Sequence, residues 1–150
     1  MGVVKSIFGQ MKDGRTASLY TLENSSGMTA VVTDFGADLV KLMVPGDNGT
    51  LTECVLGFDK LEYYFDNSNF FGALVGPCAN RTAGAKFDIG GKEYNLAVND
   101  GPNNLHSDIE NGFHKRLWSA ETGNSCVTFS LESPDGDLGF PGNRKVSVTY

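Results

Sequence analysis

Apolar and polar positions alternate in short runs along this chain, and turn-forming residues interrupt them every 8–15 residues or so. That period-2 pattern reads as strands, not helices. Leu19 to Glu23 and Met28 to Phe35 are rich in β-branched or aromatic residues, with Asn24-Ser25-Ser26-Gly27 as the turn between them. Asp13-Gly14 marks an earlier hairpin. After Gly36, Val40, Leu42 and Val44 share one face of a strand, Pro45-Gly46-Asp47-Asn48-Gly49 reverses the chain, and Leu51 to Leu56 reads as the return strand. Phe70 to Val75 reads as a buried strand. Lys86 to Ile89 and Lys92 to Leu96 flank Gly90-Gly91, a two-residue turn that wants positive φ at both positions. Leu117 to Glu121, Cys126 to Glu132 and Arg144 to Tyr150 complete the strands.

Asp59-Lys60-Leu61-Glu62 has the spacing of a capping box, with Asp59 as N-cap, and Leu61, Tyr64 and Phe65 follow at i, i+3 and i+4. This predicts one short helix near residues 60–66 and no other. The expected fold is all-β, an antiparallel β-sandwich. The last alternating strand runs to Tyr150 with no polar tail, so the sandwich is expected to be incomplete.

Composition narrows the function. The 150 residues carry a net charge of −6, which argues against a nucleic-acid partner because phosphate binding needs a basic face. The longest apolar run, Phe70 to Val75, is far shorter than a membrane span. No secretion signal is visible after Met1-Gly2-Val3-Val4-Lys5, so a cytoplasmic protein is expected. Cys54, Cys78 and Cys126 are odd in number and form no C-x-x-C pair, so they are read as buried free thiols. With only His106 and His114 as imidazoles, neither a metal nor another cofactor is expected. Asp135-Gly136-Asp137 lacks a bidentate Glu at calcium-loop spacing and reads as a turn. His114, beside Lys115-Arg116, is expected to be solvated, and Trp118 and the phenylalanines are assigned to the core.

The chemistry gathers in Asn80-Arg81 and Asn104-Leu105-His106, at the ends of short apolar strands among glycines. Arg81 offers a planar fork of donors and His106 can both donate and accept. Such a set suits a small polyhydroxylated ligand better than a phosphate chain. On residues alone, Arg81 fits a salt-bridged strand end as well as a ligand contact. His106 has the stronger functional case, with Ser107-Asp108 placed to set its tautomer.

Gly76-Pro77-Cys78-Ala79-Asn80-Arg81, Lys86-Phe87, Tyr94-Asn95-Leu96, Asn103-Asn104-Leu105-His106, Gly112-Phe113 and Trp118 resemble the core motif of the aldose 1-epimerases, or galactose mutarotases. Asp34-Phe35-Gly36-Ala37, Val55-Leu56-Gly57-Phe58-Asp59 and the blocks from Ser133 to Asn143 are similar to further family motifs, so the resemblance spans nearly the whole chain. It implies that residues 1–150 form the N-terminal part of a single mutarotase-type sandwich that binds a hexose and interconverts its anomers. Asn80, Arg81 and His106 would contact the sugar. The family's proton-donor His and proton-acceptor Glu lie beyond the matched stretch, so no catalytic residue is expected within this chain and the isolated chain is expected to be inactive. Exposed sheet edges would favour self-association. The alternatives are a non-catalytic sugar-binding module and a truncated product. Two departures stand out: Ser107-Asp108 replaces the usual glycine pair after His106, and Pro77-Cys78 precedes Ala79-Asn80.

Overall fold

The computed structural model describes residues 2–150. Five strands, β1 (Val4–Gln10), β2 (Thr16–Glu23), β3 (Thr29–Thr33), β4 (Leu39–Pro45) and β5 (Leu51–Glu53), form one antiparallel meander in chain order. A single helical turn and a half, α1 (Leu61–Phe65), follows. Next comes a two-residue ribbon of β6 (Arg81–Thr82) and β9 (Asn104–Leu105), which brackets the hairpin of β7 (Lys86–Ile89) and β8 (Lys92–Asn95). The last sheet is β10 (Ser119–Thr122), β11 (Val127–Ser133) and β12 (Arg144–Thr149).

The two larger sheets pack face to face. Tyr20 on β2 and Val32 on β3 meet Val127 and Phe129 on β11, with Phe113 and Trp118 filling the same core. The Tyr20 and Phe129 rings sit edge to face at 5.4 Å, the geometry that aromatic quadrupoles favour. Trp118 is 3% exposed and donates its indole N–H to the Phe113 carbonyl at 3.0 Å. A buried indole is therefore satisfied as well as packed. The expected antiparallel sandwich and the assignment of Trp118 to the core are both observed.

A second core lies against α1. Leu61 and Tyr64 pack on Ala17, Phe35 and Val40. Five residues cannot hold a helix by themselves, and here the fastening comes from outside it. The Lys115 ammonium donates to the Tyr64 and Phe65 carbonyls at 2.9 and 2.7 Å, placing a cation on the orphan carbonyls at the helix C-terminus. The N-terminal end differs from expectation. Lys60, not Asp59, occupies the N-cap, its backbone is extended, and no side chain caps the helix. Asp59 therefore lies one residue outside the helix.

Other expectations are also corrected. Phe70 to Val75 is irregular, because Phe70 (φ 56°) and Gly72 (φ 65°) both take left-handed backbone that a strand cannot contain. Its polar backbone groups are satisfied one by one. Asn67 bonds both the N–H and the carbonyl of Phe71, the Leu39 N–H donates to the Gly72 carbonyl, and Asp38 accepts from the Leu74 N–H. The return strand expected over Leu51 to Leu56 stops at Glu53, whose carboxylate turns back to accept the Leu42 N–H. All three cysteines are free, but Cys54 is exposed and Cys78 and Cys126 are only half-buried.

His114 is likewise not solvated: it is 2% exposed. Its Nε2 lies 3.2 Å from the Ile109 carbonyl, to which it donates, and its buried Nδ1 has no partner among the described residues. Burial first, and the charge of Lys115 second, push its pKa down to about 4.

Two outcomes follow from this packing. A β-carbon at Gly72 would overlap the Leu39 carbonyl, and φ there is positive. Gly72→Ala is therefore expected to lose at least about 2 kcal/mol of unfolding free energy in urea, and an unchanged midpoint would contradict the close approach. His114 is neutral in the fold while an unfolded histidine takes up a proton near 6.5, so its contribution to stability falls as pH drops from about 6.5 to about 4. The stability difference between the wild type and His114→Gln should shift against the wild type across that window, by a total on the order of 3 kcal/mol. A difference that does not change with pH would show that His114 is not held neutral.

Candidate functional site

Asn80 and His106 face each other across the β6–β9 ribbon, in which Arg81 pairs with Leu105 and Thr82 with Asn104. Asn80 (φ 63°), His106 (φ 56°) and Ser107 (φ 66°) all take left-handed backbone, a region that Asn and His tolerate better than most residues. This geometry lets the pair bond twice. The His106 N–H donates to the Asn80 carbonyl at 2.9 Å, and the Asn80 N–H donates to His106 Nδ1 at 2.9 Å. A backbone N–H can only donate, so Nδ1 is the acceptor and the neutral ring carries its hydrogen on Nε2. No protein group among the described residues accepts from that Nε2.

Arg81 is anchored at one corner of its fork. Its Nε donates to Asp100 at 2.7 Å, and one terminal nitrogen lies 3.4 Å from the Asn80 side-chain oxygen. The Arg81 side chain is 57% exposed and that of Asp100 33%, so the pair adds little stability. Its effect is orientation: Nε is held on Asp100, one terminal nitrogen reaches the Asn80 amide oxygen, and the side chain as a whole stays largely exposed. Arg81 is thus a salt-bridged strand end with an exposed side chain.

The loop that carries His106 is laced by amides. Asn99 bonds both the N–H and the carbonyl of Leu105. Asn104 is fully buried and donates to the carbonyls of Ala97 and Ser107, both at 2.7 Å, while accepting the Ser107 N–H. Asn103 accepts the Gly84 N–H. Asn104 therefore holds the loop and has no group left for a ligand. The Ser107 hydroxyl accepts the Cys78 N–H at 2.8 Å and donates to the Cys78 carbonyl at 2.9 Å. It ties the His106 loop to the segment entering Asn80. Ser107-Asp108 does not set the His106 tautomer as the sequence predicts, since Asp108 caps the N–H groups of Glu110 and Asn111 instead.

The structure thus brings together all three residues singled out from sequence, Asn80, Arg81 and His106. Sequence reasoning passed over Phe70 as a site neighbour, whose ring lies 4.7 Å from the imidazole, and over the roles of Asn99 and Asp100. The density of amides between Asn99 and Asn104 was the available signal for a laced loop. Nearby cations are engaged elsewhere: Lys86 with Glu93, Lys115 with α1, and Arg116 in a bidentate pair with Asp137 at 2.7 and 2.8 Å. That pairing, with a further bond from Ser133, holds the Asp137 carboxyl below its usual range. Among the described residues no cluster of His, Cys, Asp and Glu is arranged to hold a metal ion, and no helix is long and apolar enough to cross a membrane.

Comparison with known proteins fits this geometry. Residues 18–150 match the family model described as aldose 1-epimerase. The chain is 40% identical over its whole length to the galactose mutarotase of Bos taurus, covering 44% of that protein. It is 45% identical to the aldose 1-epimerase of Haemophilus influenzae over 92% of the chain and 40% of that protein. The crystal structure of galactose 1-epimerase from Lactobacillus acidophilus superimposes with a TM-score of 0.83 at 29% identity, over 99% of this chain and 44% of that one. An aldose epimerase homologue from C. elegans gives the same TM-score at 35% identity, over 89% of this chain and 41% of its own. The chain spans less than half the length of these relatives, and it belongs to the aldose 1-epimerase family.

Proposed function

We propose that this chain supplies the sugar-orienting part of a mutarotase site, which interconverts the α and β anomers of a hexose such as galactose or glucose. The observation that carries this reading is the bond from the Asn80 N–H to His106 Nδ1, which leaves Nε2–H as a donor on the same ribbon that carries the exposed Arg81 side chain. Mutarotation needs a base to take the proton from the anomeric hydroxyl and an acid to protonate the ring oxygen. The ring then opens to the aldehyde, turns about one bond and closes on the other face. In this scheme Arg81 fixes the sugar through its terminal nitrogens, Asn80 adds an amide, and His106 donates to a sugar oxygen near the reacting carbon.

The proton donor and acceptor, by resemblance, are not among these residues. Each such group contributes about 10²–10⁴-fold, so the isolated chain should orient sugar without turning it over. The substrate is an unphosphorylated hexose. Lys86, Lys115 and Arg116 each bond a protein partner, as Arg81 bonds Asp100, so an uncharged sugar suits this set better than a phosphate. Three free thiols fit a reducing, cytoplasmic compartment. The exposed apolar side chains of Val4 and Ile7 on edge strand β1 and Leu51 on edge strand β5 favour self-association.

Polarimetry of freshly dissolved α-D-galactose and α-D-glucose tests the division of labour. The folded chain should leave the rate at that of buffer. Acceleration that Arg81→Ala and His106→Ala both abolish would overturn it and place the acid and base within these residues.

A further inference from the structure

Phe70 belongs to neither apolar core, yet it holds a backbone conformation that a bulky residue keeps only when its surroundings impose it. Those surroundings are specific. Asn67 grips the next residue, Phe71, at both its N–H and its carbonyl. The Ala73 N–H donates back to the Phe70 carbonyl, and the Gly72 carbonyl is tied to Leu39. The result is a half-buried ring wedged between two imidazoles. Its centroid lies 4.7 Å from that of His106, at 60° between planes, and 5.0 Å from that of His114, at 55°.

The two imidazoles differ. His114 is buried and anchored on the Ile109 carbonyl, so it forms a fixed backing. His106 is half-buried and held at Nδ1 by one backbone hydrogen bond. The terminal torsion of a histidine is broad and roughly two-fold, and water reaching the ring would compete for Nδ1. A single bond of that kind leaves the ring free to turn over and present Nδ1 outward. An apolar ring packed against the imidazole removes both the space for that rotation and the competing water.

We propose that Phe70, backed by His114, is a positioning residue: its ring holds the His106 imidazole on the Asn80 N–H and so keeps the Nε2 hydrogen directed at the ligand. This inference rests on the reading of His106 as a sugar contact, but its structural half can be measured without sugar.

The test is long-range ¹H–¹⁵N correlation of the chain with ¹⁵N-labelled histidine, in mildly alkaline buffer, for the wild type, Phe70→Ala, Phe70→Leu and Phe70→Tyr. Trp118 fluorescence confirms that each variant is folded. The wild type and Phe70→Tyr should show one His106 form, with Nδ1 unprotonated and Nε2 protonated. Phe70→Ala should show averaged nitrogen shifts from a mixture of ring orientations, and Phe70→Leu an intermediate pattern. If a third to a half of the population remains competent, galactose binding should weaken about two- to threefold. A folded Phe70→Ala or Phe70→Leu with the wild-type His106 pattern would overturn the proposal. Should Phe70→Ala fail to fold, Phe70→Leu decides alone. A wild-type chain that shows the single His106 form but binds no sugar would instead count against the proposed function and leave the role of Phe70 intact.

Discussion

Asn80 and His106 stand 26 residues apart and bond twice, main chain to main chain and main chain to imidazole. The site depends on this reciprocal pair. It requires left-handed backbone at both residues, and that strain is maintained by the lacing around it: Asn99 on Leu105, Asn104 on Ala97 and Ser107, and Ser107 on Cys78. Each of these is a side chain satisfying backbone groups that a two-residue ribbon leaves without ladder partners. The β-sandwich is the platform. Its core around Tyr20, Val32, Trp118 and Phe129 fixes the sheets, and the polar loops carry the candidate site.

Charge is distributed to the same end. The chain is acidic overall, and several of its cations each hold an element in place. Lys115 closes α1, Arg116 clasps Asp137, Lys86 ties β7 to β8, and Asp100 orients Arg81. What the ribbon offers a ligand is therefore a set of hydrogen-bond donors with their local positive charge largely offset. Such a set would suit a neutral polyol, in keeping with the proposed function. It differs from an anion site, where unpaired cations or a helix N-terminus would face the ligand.

Legibility in the sequence followed the range of the interactions. The β7–β8 hairpin was readable because Gly90 and Gly91 supply the two positive φ angles of its turn locally, and β2, β3 and β4 because their apolar faces alternate. Asn80, Arg81 and His106 stood out as a group because they are polar residues at the ends of short strands, and the fold does place them together. The failures share a cause. His114 looked solvated beside Lys115 and Arg116, but both cations reach partners 21 to 51 residues away and leave the imidazole inside. Phe70 to Val75 offered an apolar run without a period, and its left-handed residues are imposed by Asn67 and the Leu39 carbonyl. The His106 tautomer was sought in the adjacent Asp108 and is set by a backbone N–H from another strand end.

We propose above that the Asn80–His106 pair and Arg81 form a preorganised sugar-binding face. This proposal is tested most directly by titrating the ¹⁵N-labelled chain with D-galactose and following backbone amide shifts. Saturable changes are expected, centred on Asn80, Arg81, His106 and the adjoining Ser107, with the two sandwich sheets unmoved. No change at those residues in a well-folded chain, or changes centred elsewhere, such as the cavity lined by Glu132, Ser133, Asn143 and Lys145, would contradict it.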